Sequence, residues 1–219
     1  MVSRYYGKTS EDRASAPFRC QGFVRNGIIG RTDGQDAGRP VAIASLPPFL
    51  RALLVTDGTV TKILEAYFWE PVRVDTLRQE CIDVEAAIPW IEVSAGDRVM
   101  VRRVQLRGVD TGLPYAHAFS VIRLERIPEG FRQRLIDREI GIGALIRDSG
   151  LESYREVMEV GLEGPPSPEV SPDATQDAIQ GGVSRTYRII IAGEPVILIT
   201  ETFPLDLYRS DPGAGGDPG

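Results

Sequence analysis

Cysteine and histidine are scarce in this chain. Its 219 residues include two cysteines, Cys20 and Cys81, and one histidine, His117. The cysteines lie far apart without a C-x-x-C spacing, which favours free thiols over a disulfide or a thiolate metal site. With one histidine and no cluster of ligands at metal-binding spacing, a zinc site is disfavoured. No G-x-S-x-G elbow presents a serine for that histidine to activate. Neither of the glycine-rich phosphate loops, G-x-x-x-x-G-K-[ST] and G-x-G-x-x-G, is present. Basic residues are outnumbered, 25 against 31 acidic, for a net charge of -6. That balance argues against a nucleic-acid-binding surface. No apolar run is long enough to span a bilayer, and Met1 to Lys8 leads into no apolar h-region. The expectation is a cytoplasmic protein that acts on a small molecule, with no metal, no nucleic acid and no membrane.

What is present suits one ordinary domain, with 42% hydrophobic and 26% charged residues and enough chain for a core. Residues 1–45 read as an irregular N-terminal arm, with a small hairpin expected where Asn26-Gly27 separates Phe23-Val24 from Ile28-Ile29. From Leu46 the pattern changes. Pro47-Pro48 opens a helix with Phe49, Leu50, Leu53 and Leu54, and Thr59 caps a second with Val60, Ile63, Leu64 and Tyr67. A strand follows over 70–76, then a hairpin of strands 98–106 and 114–124 turning through Asp110-Thr111-Gly112. Pro128 opens a further helix, and Gly141-Ile142-Gly143 leads into another. Residues 151–161 read as a strand, and 164–182 as a long polar loop. A last hairpin, 187–191 and 196–203, turns at Gly193-Glu194-Pro195. The tail, 209–219, reads as disordered. There is no internal sequence repeat. Helices, strand, hairpin, helices, strand, hairpin is the order of an α+β fold, an antiparallel sheet with helices beside it.

One residue breaks the apolar pattern. In Ile197-Leu198-Ile199-Thr200-Glu201-Thr202-Phe203, strand alternation puts Glu201 on a face with Ile197, Ile199 and Phe203. A carboxylate there either meets a cation or hydrogen-bond donors, or reaches solvent at a strand edge. Arg102 is a candidate partner, because it shares its strand face with Met100, Val104 and Leu106, and a guanidinium holds a carboxylate well. His117, with Tyr115, Phe119 and Val121, reads as a core or interface histidine.

Four segments in order resemble the chorismate lyase family: Leu54 to Thr61, Arg98 to Leu106, Gly141 to Leu145, and Leu198 to Phe203. The resemblance covers residues 46–208 and implies six antiparallel strands with short helices as flaps over an enclosed ligand. It implies conversion of chorismate to 4-hydroxybenzoate and pyruvate without a cofactor. Carried over by position, Arg102 and Glu201 are the catalytic residues, and the backbone amides of Val60 and Ile142 hold the ring carboxylate. Helix starts suit that task, since their N–H groups are unpaired.

Two other readings remain. One is a small-molecule effector-binding domain of the kind found in bacterial transcription regulators, against which residues 1–45 are too short and irregular for a winged helix. The other is the same fold recruited to a different cofactor-free rearrangement or cyclisation, with Phe119 and Trp90 lining a more apolar pocket.

Overall fold

The computed structural model describes residues 28–29, 41–137, 141–163 and 181–209. Two-residue strands β1 (Ile28–Ile29) and β2 (Val41–Ala42) pair antiparallel. Helices α1 (Pro48–Val55) and α2 (Val60–Phe68) precede strands β3 (Val72–Asp83), β4 (Arg98–Gly108) and β5 (Pro114–Ile122). Helices α3 (Glu129–Ile136) and α4 (Ile142–Ser149) precede β6 (Ser153–Glu163), β7 (Gly182–Ile191) and β8 (Glu194–Pro204), and α5 (Leu205–Arg209) closes the described chain. The six long strands form one antiparallel sheet in the order β3-β4-β5-β8-β7-β6. The expected α+β fold is therefore present.

The connectivity repeats although the sequence does not. Two helices, an edge strand and a hairpin occur twice, and the second strands of the hairpins, β5 and β8, pair at the centre of the sheet. In this arrangement α2 corresponds to α4, and β4 to β7. A sequence search misses such a repeat because topology constrains only which positions are apolar, and many side chains satisfy that.

The two faces of the sheet bury different cores. Met100, Val104, Ala118, Ile199 and Phe203 pack under helix residues Leu50, Leu54, Leu64, Leu135 and Leu145. On the opposite face Val99, Val101, Phe119 and Val121 pack against Trp90, Ile91 and Met158. Phe119 and Trp90 thus lie across the sheet from Glu201, and the expectation that they line its pocket is corrected. Alternation decides this, since Phe119 and Ala118, the neighbour of Glu201, point to opposite faces.

Element boundaries differ from expectation where polar residues pair across strands. The strand expected at 70–76 runs from Val72 to Asp83, because an edge strand needs one partner only, and β4 supplies it past a bulge at Leu77. Strand β7 starts five residues before Tyr187, at Gly182. The last turn is centred on Ala192 (φ 52°) and Gly193 (φ 84°), the two left-handed residues of a tight hairpin, so Glu194 and Pro195 already belong to β8. Ile28-Ile29 pairs with Val41-Ala42; its expected partner Phe23-Val24, the rest of the arm up to residue 40, the loop 164–180 and the tail after 209 lie outside the described residues. Cys81 is free and exposed. Among the described residues no helix is long and apolar enough to cross a membrane.

Glu70 lies between α2 and β3. Trp69 leaves α2 in a left-handed conformation (φ 60°), and Glu70 turns back onto the β4–β5 loop. Its carboxylate accepts from Tyr115 Oη, from the backbone N–H of Asp110 (2.7 Å) and Thr111 (3.0 Å), and from Thr111 Oγ1 (2.7 Å). The Tyr115 hydroxyl, and then the Thr111 and Asp110 donors, hold the carboxyl down to about 2 from an ordinary 4.5. Burial and the Glu70 bond push Tyr115 up to about 12. A group with a depressed folded pKa stabilises above its unfolded value and stops doing so as pH falls through the folded one. Urea unfolding across a pH series should therefore show stability falling between pH 4.5 and about 2, and Glu70→Gln should flatten part of that fall. An unchanged slope in the variant would contradict the network.

Candidate ligand site between two helix starts

The site begins with cross-strand neighbours. Arg185 on β7 stands opposite Glu201 on β8, and both side chains lie on the helix-covered face. Arg185 Nε donates to Glu201 Oε2 at 2.9 Å, and Tyr187 Oη donates to Oε1 at 3.1 Å. The Arg185 guanidinium carbon is 4.8 Å from the Tyr187 ring centroid, within cation–π range. Burial, then the Glu201 charge, push the Tyr187 hydroxyl well above the usual phenol range. It therefore stays a donor. Arg185 is 1% exposed and Glu201 7%.

The cation that meets Glu201 is Arg185, which corrects the expected pairing with Arg102. The signal was in the sequence. In Val183-Ser184-Arg185-Thr186-Tyr187, alternation sets Arg185 beside Val183 and Tyr187, but three consecutive polar residues read as loop. In the sheet each has a partner: Ser184 Oγ donates to the Gly161 carbonyl (3.4 Å), and Thr186 and Thr200 hydroxyls meet at 2.8 Å.

Arg102 lies on the same face, two strands away. It stands opposite Ser120, which stands opposite Ile199, two residues before Glu201. At ordinary strand spacing its Cα is roughly 12 Å from that of Glu201. Arg102 is 2% exposed and donates from Nη2 to Thr76 Oγ1 at 3.0 Å. Beside it, Gln79 Nε2 donates to the carbonyls of Leu135 (3.2 Å) and Ile136 (2.9 Å), fastening the end of α3 to the sheet.

Above this face two helix starts meet. The α1–α2 loop is tied down by Arg185 Nη1 on the Thr56 carbonyl (2.7 Å) and by Arg155 Nη1 on the Asp57 carbonyl (2.7 Å). A methyl group at Gly143 would sit 3.2 Å from Thr59 Cγ2, so the starts of α2 and α4 are in contact and the absent side chain permits it. Neither helix has a side-chain cap on its N-terminus, so Thr59 stands at the N-cap position of α2 without making the expected side-chain bond. Val60 and Ile142 are the first residues of the two helices and are buried. Unpaired N–H groups there, with the positive ends of two helix dipoles, favour an anion. His117 is on the far face, its Nε2 3.4 Å from Gln105 Nε2, so it does not join this group.

A family model described as chorismate pyruvate-lyase Rv2949c-like matches residues 54–210. The chain belongs to that family. The chorismate pyruvate-lyase of Mycobacterium leprae is 31% identical over 170 residues, covering 78% of this chain and 80% of the relative. That of Mycobacterium tuberculosis is 28% identical over 167 residues, covering 74% and 83%. Among solved structures, the effector domain of PhnF from Mycobacterium smegmatis aligns with a TM-score of 0.52 at 15% identity, over 68% of this chain and 90% of that one. Full PhnF gives a TM-score of 0.53 at 15% identity, over 69% and 66%. The structural likeness shows that the chain shares its fold with the PhnF effector domain.

The buried pair should dominate local stability. Glu201→Leu leaves Arg185 without its counter-charge and should cost about 3–5 kcal/mol. Replacing both, Arg185→Met with Glu201→Leu, should recover most of that loss in urea titrations. Full additivity of the two single losses would contradict the coupling.

Proposed function

We propose that this chain converts chorismate to 4-hydroxybenzoate and pyruvate by cofactor-independent elimination, with residues 46–208 as the catalytic domain. The observation that carries this reading is the placement of Arg102 and Glu201 on one buried face, beneath two uncapped helix starts, in a member of the chorismate pyruvate-lyase family.

The amides of Val60 and Ile142 hold the ring carboxylate, and Glu201 accepts a hydrogen bond from the 4-hydroxyl at the opposite end of the ring. That fixes which way the ring lies, and orientation is a large part of what such a site contributes. The C3–O bond breaks with its electron pair leaving on oxygen, and the C4 proton departs. Aromatisation supplies the driving force. The proton balances the departing enolpyruvate, which becomes pyruvate. Arg102 stabilises the negative charge that develops on the enolpyruvyl oxygen and its carboxylate. The buried face keeps water away, where such a charge interaction is stronger than in bulk solvent.

A second reading, a binding domain without turnover, has the PhnF fold in its favour. One experiment separates them. Purified protein incubated with chorismate, without metal or nucleotide, should release 4-hydroxybenzoate and pyruvate in equal amounts. Arg102→Met, which keeps the side-chain volume, should lower kcat on the order of a hundredfold to a thousandfold while circular dichroism stays native. Binding without product would favour the effector domain, and an active Arg102→Met would remove the arginine's role. Full activity in Glu201→Gln would exclude proton transfer by that carboxylate.

A further inference from the structure

The proposed reaction uses Arg102 and Glu201 but gives no direct task to Arg185, the most deeply buried charged residue beside them. Two of its nitrogens are committed, Nε to Glu201 and Nη1 to the Thr56 carbonyl. The third, Nη2, is buried and has no acceptor among the described residues. A charged donor buried without an acceptor is costly and uncommon. One N–H of Nη2 lies parallel to Nε–H along the same edge of the planar group, so the open donor points to the side where Glu201 sits. Its usual mate, the second carboxylate oxygen in a two-point pair, is occupied by Tyr187 instead.

The repeated topology gives an independent indication. Strand β7 takes the place in the second half that β4 takes in the first. Arg185 is directly opposite Glu201 on β8, as Arg102 is directly opposite Ser120 on β5. The two arginines thus occupy corresponding positions on the covered face, as Val60 and Ile142 do at the corresponding helix starts. A face built this way carries two buried arginines, one of them paired with Glu201, beneath two helix starts. It suits a ligand with two anionic groups better than one.

We infer that Arg185 is a second substrate-binding arginine, whose Nη2 donates to the carboxylate of the enolpyruvyl arm next to the ring position held by Glu201. This rests on the lyase reading and deepens it. The substrate carries two carboxylates and the aromatic product one, so Arg185 favours substrate over product and leaves its donor open again after the arm departs. Its bond to Thr56 ties the same residue to the loop that starts α2, so the arm contact and the ring-carboxylate contact are made by connected groups.

A non-reactive pair of probes tests this. 4-Hydroxybenzoate carries one carboxylate, and 3-(carboxymethoxy)-4-hydroxybenzoate adds a second on an arm at the right position. Calorimetry should show wild-type protein binding the dicarboxylate about tenfold more tightly, the worth of one charge-assisted hydrogen bond. Arg185→Lys keeps the charge but cannot reach Glu201, Thr56 and the arm together, and should erase most of that preference. In turnover the same variant should raise KM for chorismate by more than it lowers kcat. Equal weakening of both probes would mean that Arg185 only positions Glu201 and the loop, which overturns the inference. So would a wild-type protein that binds both probes without preference, a result that needs no variant to fold. Wild-type protein that binds neither probe and forms no product would instead sink the lyase reading itself. Arg185→Gln serves as the second variant if the lysine form does not fold.

Discussion

The Arg185–Glu201 pair is the constraint around which the covered face is arranged. A carboxylate and a guanidinium this far from water are tolerated only where each is answered by charge and hydrogen bonds. Cross-strand register supplies the first answer, since the two residues face each other on β7 and β8. Tyr187, one alternation further along β7, supplies the second. The third reaches out of the sheet, to the Thr56 carbonyl, and so the same pair that keeps Glu201 in place also fixes the loop from which α2 starts. A strand side chain thereby determines where a helix dipole points.

From there the architecture follows. Arg155, on the edge strand, holds the next carbonyl of that loop. Gly143 lets the start of α4 close against Thr59. The two helix starts then lie over a face that carries Arg102, Arg185 and Glu201, while the other face is filled by Trp90, Phe119 and their neighbours. The fold is shared with the PhnF effector domain, which is only 15% identical. Activity is therefore argued from the particular residues on the helix-covered face and not from the sheet itself.

Much of this was legible in the sequence. The order of helices, strands and hairpins was, because each element carries its own periodicity and most turns carry glycine or Asp-Gly signals. Glu201 stood out because a single carboxylate interrupts an apolar strand. Arg185 did not, because Ser184, Arg185 and Thr186 form a polar run, and their burial depends on Gly161, Glu201 and Thr200 on neighbouring strands. Propensity cannot see partners that distant. The same limit explains the short reading of β3, whose outer half is polar and is held by β4 alone, and the assignment of Phe119 to the ligand face, which register and not composition decides. The topological repeat escaped for the related reason that it conserves positions and not residue types.

In the proposed complex one ring lies between the two helix starts and the Arg185–Glu201 pair. A crystal structure of the protein with 4-hydroxybenzoate tests it directly. The ligand carboxylate should lie within hydrogen-bond distance of the Val60 and Ile142 amides, with the hydroxyl on Glu201. A ligand turned end for end, with its carboxylate on Arg185, or one seated on the Trp90 face of the sheet, would contradict it.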